Sequence, residues 1–280
     1  MSLFSTTPKL FVSAAALVLT VGCEATPAPT SERAAASPTF ERDPSVETVM
    51  SFGDLNAAKP ALVEELMSLE PVMGRDRTYR FSQPVWAQAS SMSVILRRLT
   101  DLEEPAHVRA ALARALRTNR GPWHAEALEL LRAEADAVVR ARLMESLSDA
   151  PVEALPQALV VGLADADPRV RDWASVGASK LLANHPEAAV SDELEALLVQ
   201  TLADEDQAVR AGIVRAISFR AELGLVEKVS ARLGDSSPTV RLAAVDAIAR
   251  LDPSGARARV LAAGLDKDED PVVARAASRL

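Results

Sequence analysis

A Val-Arg dipeptide recurs at nearly constant spacing along the chain, and this repeat limits the possible folds more than any other feature. Five copies are complete and the sixth has alanine in place of arginine; the valines are Val108, Val139, Val170, Val209, Val240 and Val273. Their successive spacings are 31, 31, 39, 31 and 33 residues. The fourth, seventh and eighth residues after each valine are mostly apolar or small, and these positions share one face of an α-helix. The period predicts a chain of stacked helical units.

Each Val-Arg helix is preceded by the signals of a helix start. The residue three positions before the valine is predicted to be the N-cap in five copies: Asp136, Asp167, Asp206, Ser237 and Asp270. Proline follows three of these caps, at the first helical position, where its missing N–H needs no partner. The first copy departs, because Glu104-Pro105 stands one residue earlier. Another helix is predicted to end shortly before each cap, at Leu99, Leu131, Leu163, Leu202, Leu233 and Leu265.

The unit is therefore a helix, a short turn and a capped helix. Its Asp-Pro-x-Val-Arg-x-x-Ala pattern resembles HEAT repeats, specifically the short HEAT-like type of the phycobilisome lyases. The resemblance implies an all-α fold, a right-handed α-solenoid of about six stacked HEAT-like helix pairs. One such pair cannot bury its apolar face alone, so neighbouring units stack into one continuous core. The solenoid is predicted to span 85–280, with units at 85–118, 121–149, 151–183, 187–220, 221–252 and 254–280.

Two segments break the period. Residues 46–84 are predicted to form an N-terminal helical cap or a partner-specific extension, with a helix over Leu55–Leu69, Asp54 as its cap and a loop over 71–84. The spacing of 39 residues after Val170 holds eight extra residues, predicted to form a protruding loop over 183–190, since Pro186 cannot continue a helix without loss of a hydrogen bond. Such a loop either carries specificity or is a neutral insertion. His185 and Glu187 are its candidate partner-binding residues.

The N-terminus has the pattern of an export signal. Lys9 precedes an uncharged run from Leu10 to Gly22, which is too short to span a bilayer but has the length of a secretory h-region. The sequence Leu-Thr-Val-Gly-Cys that ends at Cys23 resembles a bacterial lipoprotein lipobox. That resemblance implies removal of 1–22, lipidation of Cys23 and anchoring to the membrane through its acyl chains. Glu24 favours an outer-membrane location, facing the periplasm or the cell surface. Residues 23–45 are rich in Pro, Ser, Thr and Ala and predict a disordered tether.

The arginines of the repeat are predicted to form a ladder along the stacked helices: Arg109, Arg140, Arg171, Arg210 and Arg241. Asp165, Asp204 and Asp235 recur nearby in the turns. One interpretation is a basic groove for anionic ligands. The other, which we favour because each arginine has an acidic residue close in sequence, is partly buried bidentate pairing between repeats.

Several kinds of chemistry are excluded by composition and motif. The chain has a net charge of −8 and only 4% aromatic residues, which does not suit a nucleic-acid binder. One cysteine and three scattered histidines give no zinc motif. The acidic run 266–270 resembles the opening of a calcium loop, but Pro271 and Ala277 stand where that loop needs Gly and Glu. No nucleophile–base motif occurs, so the sequence predicts a non-enzyme with no cofactor and no metal.

The sequence thus predicts a lipid-anchored, non-catalytic protein-interaction scaffold of the cell envelope with an unidentified protein partner. Trp123, which follows Gly121-Pro122 at a helix start, is a further candidate partner-binding residue, whereas Trp173 is predicted to pack between repeats. Two alternatives stay open. The resemblance to phycobilisome lyases implies a bilin lyase-like cofactor-attachment subunit, although export argues against it because phycobilisome assembly is cytosolic. The other is a purely structural envelope protein.

The lipobox generates a direct test. We expect Cys23→Ser to leave the precursor unacylated, because serine lacks the thiol that accepts the diacylglyceryl group. The protein should then leave the membrane fraction or remain unprocessed, as fractionation and intact-mass spectrometry would reveal. An unmodified Cys23 in the wild-type protein, or cleavage at another bond, would contradict the prediction.

Overall fold

The fold is known from a computed structural model that describes residues 66–74, 79–81, 91–119 and 121–280. Two short strands, β1 (Val72–Met73) and β2 (Tyr79–Arg80), precede the helices. The twelve helices that follow are α1 (Met92–Thr100), α2 (Ala106–Leu116), α3 (His124–Ala133), α4 (Ala137–Leu147), α5 (Leu155–Leu163), α6 (Pro168–Asn184), α7 (Asp192–Thr201), α8 (Gln207–Ile217), α9 (Val226–Ser230), α10 (Pro238–Leu251), α11 (Ala256–Ala262) and α12 (Pro271–Ala277). Short 3-10 turns flank α9 and follow α11. No helix among the described residues is both long and apolar enough to cross a membrane.

The helices form six pairs, as the repeat predicts. In each pair the second helix carries the Val-Arg dipeptide, and all six of its valines are at most 1% exposed. The second helices α2, α4, α6, α8, α10 and α12 pack on one another in sequence, while the first helices make fewer contacts with each other. The second helices therefore form the inner layer and the first helices the outer layer of an α-solenoid. One apolar core runs through all the pairs.

Four of the five predicted N-caps are confirmed. The carboxylates of Asp136, Asp167, Asp206 and Asp270 each accept a hydrogen bond from a backbone N–H in the first turn of the helix that follows. The prediction for Ser237 is wrong, because its side chain makes no capping hydrogen bond and its buried hydroxyl oxygen has no partner among the described residues. There Pro238 begins the helix without a side-chain cap, since its ring presets φ for a first turn.

The arginine ladder joins neighbouring repeats, which confirms the pairing interpretation. Four arginines bind a carboxylate of the next repeat through two parallel hydrogen bonds of 2.6–3.1 Å: Arg140 with Asp165, Arg171 with Asp204, Arg210 with Asp235 and Arg241 with Asp268. The first rung, Arg109 with Glu134, is a single contact of 2.5 Å. The partner is thus the acidic residue of the following repeat, about 25–33 positions away, and not the neighbour in sequence.

Each rung also holds its own turn in place. Arg171 donates from Nη1 to the carbonyl oxygens of Asp165 and Ala166, while Asp204 accepts the backbone N–H of Asp206. The same pattern recurs at the rungs of Arg140, Arg210 and Arg241. Hydrogen bonding to the carboxylate partner raises the pKa of all four arginines above its ordinary value. Each guanidinium therefore ties the turn of one repeat to the turn of the next.

The N-terminal segment differs from the prediction of a plain loop over 71–84. Within it, β1 and β2 pair antiparallel, with Val72 opposite Arg80. Residues 66–68 are helical, as predicted for the end of Leu55–Leu69, while Asp54 and the rest of that helix lie outside the described residues. Arg98, which is 1% exposed, donates to the carbonyl oxygens of Leu66 and Leu69 and pairs with Glu104. This buried arginine fastens the segment to the first repeat.

Part of the extra length after Val170 belongs to a helix. Helix α6 continues to Asn184, so the prediction that Ala183 and Asn184 belong to the loop is wrong, and the loop begins at His185. The next helix begins after Ser191, whose hydroxyl accepts from the N–H of Leu194 and caps it. Val170 and Val209 are both fully buried, so the register is kept across the insertion.

The ladder predicts a specific loss of stability. We expect Arg210→Ala to lower the free energy of unfolding by about 3 kcal/mol, because it leaves the buried carboxylate of Asp235 without its partner. Arg210→Lys should recover little, since an ammonium cannot form the two parallel bonds. The control is Arg132→Ala, whose exposed pair with Glu129 contributes about 1 kcal/mol or less. Chemical denaturation measures all three, and an Arg210→Ala protein as stable as the control would contradict the prediction.

Acid should weaken the last rung. Hydrogen bonding to Arg241 lowers the pKa of Asp268 below its ordinary value of 3.8, so the folded state binds this proton less readily than the unfolded state. The stabilisation that the ionised Asp268 gives the folded state is complete above the ordinary pKa of 3.8 and is lost as pH falls through the lowered pKa. We expect the drop in Tm below pH 4 to be smaller in Asp268→Asn, a variant already weakened at pH 7. Glu269→Gln, which removes an exposed carboxylate that lies 3.4 Å from the same arginine, is the control for a neutralised carboxylate in this turn. Superimposable profiles for all three would contradict this assignment.

Candidate binding surfaces

The predicted partner-binding residues lie in different environments. Cys23 lies outside the described residues. Trp123 is only 3% exposed, and its indole N–H donates to the carbonyl oxygen of Asn119 while its ring stacks on His124 at 4.1 Å between centroids. The prediction that Trp123 contacts a partner at the surface is wrong, because an indole packed into the core offers no exposed face. Trp173 is partly buried against the core, as predicted.

His185 and Glu187 lie on the loop after α6 and contact each other, with 3.2 Å between Nδ1 and Oε1. A backbone hydrogen bond and the contact with His185 lower the pKa of Glu187. His185 also lines a cavity of about 180 Å³ together with Asp149, Lys180 and Asn184. The loop is therefore accessible and lies beside the inner layer of helices.

The inner layer carries a band of cations, which we call the inner strip. It runs from α2 to α10 and its cations are Arg114, Arg117, Arg142, Lys180, Arg215 and Arg250. Its carboxylates are Glu145, Asp149, Asp172 and Asp246. Six cations against four carboxylates make this band net positive, in a chain whose net charge is −8.

One end of the inner strip is organised around a buried carboxylate. Glu145 is 2% exposed and contacts Arg142 at 2.6 Å, Arg114 at 3.4 Å and Arg117 at 3.7 Å. Asp149 then bridges Arg117 and Lys180. A buried carboxylate surrounded by arginines holds their guanidinium groups in fixed positions, while Arg117 and Lys180 keep 41% and 34% of their side chains exposed.

The other end of the inner strip is a groove of about 370 Å³ between α6, α8 and α10. Three cations, Lys180, Arg215 and Arg250, and one carboxylate, Asp246, line it together with glycine, alanine, serine and valine residues. Phe219 is 42% exposed, with the guanidinium of Arg250 lying 5.0 Å from its ring centroid. The groove thus combines cations with one open aromatic face.

Helices α6 and α8 approach closely below this groove. A Cβ atom on Gly212 would lie 2.1 Å from Oγ of Ser175, a distance that real side chains do not tolerate. The absence of a side chain at Gly212 therefore permits the tight packing of the inner layer.

A larger groove of about 770 Å³ lies on the outer layer, across α1, α3 and α5. We call it the outer groove. Leucine and alanine side chains form most of its surface: Leu96, Leu128, Leu130, Ala125, Ala133 and Ala154. Its charged lining residues are Glu126, Glu129 and Glu153. Burial lowers the pKa of His124, which also lines the groove, and this favours the uncharged imidazole.

The remaining motifs have structural partners. Asp268 of the acidic run pairs with Arg241, and Asp270 caps α12, so this run is a turn of the solenoid. Among the described residues, no group of three or more His, Cys, Asp or Glu side chains could hold a metal ion. His107, His124 and His185 lie in three different repeats.

Neither the inner strip nor the outer groove was predicted from the sequence. The signal for the strip lies at the sixth and tenth residues after the repeat valines, where Arg114, Glu145, Lys180, Arg215 and Arg250 stand. Those positions vary from copy to copy, so the Val-Arg register alone does not single them out.

Comparison with known families supports the repeat architecture. A family model for HEAT repeats matches residues 194–280, which contain α7 to α12. A search of curated proteins gave no match.

Solved structures extend the likeness to about two thirds of the chain. Two crystal structures of engineered proteins match with TM-scores of 0.52 and 0.50, at 21% and 20% identity, covering 67% and 68% of this chain and 96% and 94% of theirs. A computationally designed armadillo repeat protein, made for modular peptide recognition, matches with a TM-score of 0.50 at 17% identity over 67% of this chain and 97% of its own. The chain is thus similar to stacked helical repeat proteins and has their α-solenoid fold.

Proposed function

We propose that this protein is a lipid-anchored, non-catalytic scaffold of the cell envelope that binds an acidic, extended segment of a partner protein along its inner strip. The observation that carries the proposal is the separation of charge, with a net positive band on the inner helices of a chain that is acidic as a whole. The fold is typical of protein-interaction scaffolds. The designed armadillo protein was made for peptide recognition, but at this identity the likeness supports only the fold.

Structural pairing neutralises only part of the positive charge of the inner strip. In the ladder each arginine meets its own carboxylate, so its charge is neutralised by the fold. In the strip, Lys180 and Arg117 share Asp149, and Glu145 is surrounded by three arginines. Like charges held together destabilise a fold unless an anion joins them. Carboxylates from a partner would supply that anion.

The dimensions of the inner strip suit an extended peptide. Five second helices at about 9 Å between axes span roughly 36 Å, which an extended chain covers with about eleven residues. Contacts along such a length would come from alternate side chains. We therefore expect carboxylates to meet Arg117, Lys180 and Arg215 in turn.

Phe219 gives the partner segment a defined position. Its exposed ring at the end of the inner strip, beside Arg250, suits an apolar side chain that is followed or preceded by a carboxylate. Nucleic acid suits the site less well, because the described residues of this groove offer it only one exposed aromatic ring for base stacking.

The lipid anchor in this proposal is supported by the sequence alone. The uncharged run from Leu10 and the lipobox that ends at Cys23 are typical of lipoprotein signals, and they lie outside the described residues. Anchoring through Cys23 would hold the inner strip near the membrane surface.

Peptide binding tests the inner strip directly. We expect a labelled peptide of about eleven residues, with a central leucine among glutamates, to bind the mature protein more tightly than a matched lysine peptide. Raising the salt concentration should weaken binding, because the partly exposed charges are screened. In Lys180→Ala/Arg250→Ala the affinity should fall by about tenfold or more. Fluorescence anisotropy measures each case.

The control removes the same charge elsewhere. Lys228→Ala/Arg257→Ala changes two exposed cations of α9 and α11 on the outer layer and should leave binding unchanged. Circular dichroism melts verify that both double variants are folded. Equal losses of affinity for the acidic peptide in the two double variants, or binding of that peptide that salt does not weaken, would overturn the role of the inner strip.

A further inference from the structure

The outer groove is a second surface, on the opposite layer from the inner strip, and its chemistry is different. It crosses three outer helices, α1, α3 and α5, and its volume of about 770 Å³ is roughly twice that of the inner groove. Soluble monomers rarely expose a large connected apolar surface without a use for it. Leu96 and Leu130 are only partly buried there.

The charges around the outer groove have one sign. Glu126, Glu129 and Glu153 line it, and Glu129 also pairs with Arg132 of the same helix. Among the described residues that line the groove, the other titratable group is His124, whose pKa burial lowers, and none is a lysine or an arginine. An apolar floor with carboxylates around it attracts a ligand that is apolar on one side and cationic at its edges.

The packing of the outer helices indicates which ligand shape fits the groove. They pack on one another less closely than the inner helices do, so a depression remains where α3 lies between its neighbours α1 and α5. A helix laid in such a depression buries side chains spaced three and four residues apart, and leaves its flanking positions beside the rim. Lysine or arginine at those flanking positions would reach the glutamates.

We propose that the outer groove binds a basic amphipathic helix of a partner protein. Leucine-type side chains of that helix contact Leu96, Leu128 and Leu130, and its cations pair with Glu126, Glu129 and Glu153. Crossing three helices at about 9 Å between axes needs roughly 18 Å, which is about twelve residues of α-helix. This surface is independent of the inner strip, so the protein could hold two partners of opposite charge at once.

Three designed peptides serve as probes. The first is a labelled peptide of about fifteen residues with leucines at helical spacing and lysines elsewhere. The second has the same composition in scrambled order, and the third replaces its lysines with glutamates. We expect only the first to bind in the outer groove and to gain helical circular dichroism on binding. Binding of the glutamate peptide should occur at the inner strip, so the acidic peptide of that strip should displace it.

Three variants connect that binding to the groove. Ala125→Lys/Ala133→Lys fills the groove from exposed positions at the start and end of α3 and repels the cationic probe. We expect its affinity to fall by about tenfold or more. Ala208→Lys/Ala262→Lys makes the same charge change at exposed positions of α8 and α11 and should bind like the wild type. Glu126→Gln/Glu129→Gln/Glu153→Gln keeps the groove's shape and should weaken binding of the lysine peptide only.

The outcomes separate this proposal from its alternatives. Equal binding of ordered and scrambled lysine peptides would show attraction to an acidic surface in general, and would overturn it. A dimer of the wild-type protein in light scattering, lost in Ala125→Lys/Ala133→Lys, would assign the groove to a second copy of the chain instead. The acidic peptide of the inner strip should not compete with the lysine peptide, so failure at one surface is distinguishable from failure at the other.

Discussion

The pairing of an arginine in one repeat with a carboxylate in the next is the interaction on which this solenoid depends. It joins two turns about 30 residues apart and satisfies the carbonyl oxygens and N–H groups of those turns at the same time. Helix pairs of this size cannot fold alone, so the energy that holds neighbours in register determines whether the array forms. Bidentate geometry adds direction, because only one stacking angle brings both nitrogens onto both oxygens.

The charged groups of the inner strip are separate from those of the arginine ladder. The ladder's arginines lie at the turns and are neutralised there, whereas cations elsewhere on the inner helices share fewer carboxylates, as Arg117 and Lys180 share Asp149 of the repeat between them. The inner strip uses the variable positions of the same helices, where Glu145 fixes the directions of nearby guanidinium groups. The invariable part of each repeat builds the fold, and the variable part determines what its surface attracts.

The sequence predicted features that depend on local register and missed those that depend on neighbouring helices. The helix pairs, four aspartate caps and the pairing of the ladder arginines follow from residue types at fixed offsets from each valine. The prediction of Ser237 as an N-cap was wrong, because a favourable residue type does not ensure that its hydroxyl reaches a backbone N–H. Of the candidate binding residues, Trp123 was predicted wrongly, because it turns inward onto Asn119, while His185 and Glu187 stay predictions. The inner strip was missed because it is assembled from residues of five different helices.

Both candidate surfaces follow from one packing difference. Small residues such as Gly212 and Ala243 let the inner helices approach closely, and a Cβ at Gly212 would meet Ser175. The outer helices contact each other less, so the solenoid must leave depressions on that side, and α1, α3 and α5 border one that is lined with leucine and alanine. Tight inner packing therefore brings cations of successive repeats into one band, while looser outer packing exposes an apolar groove with an acidic rim. Opposite charge on the two layers suits them to different partners.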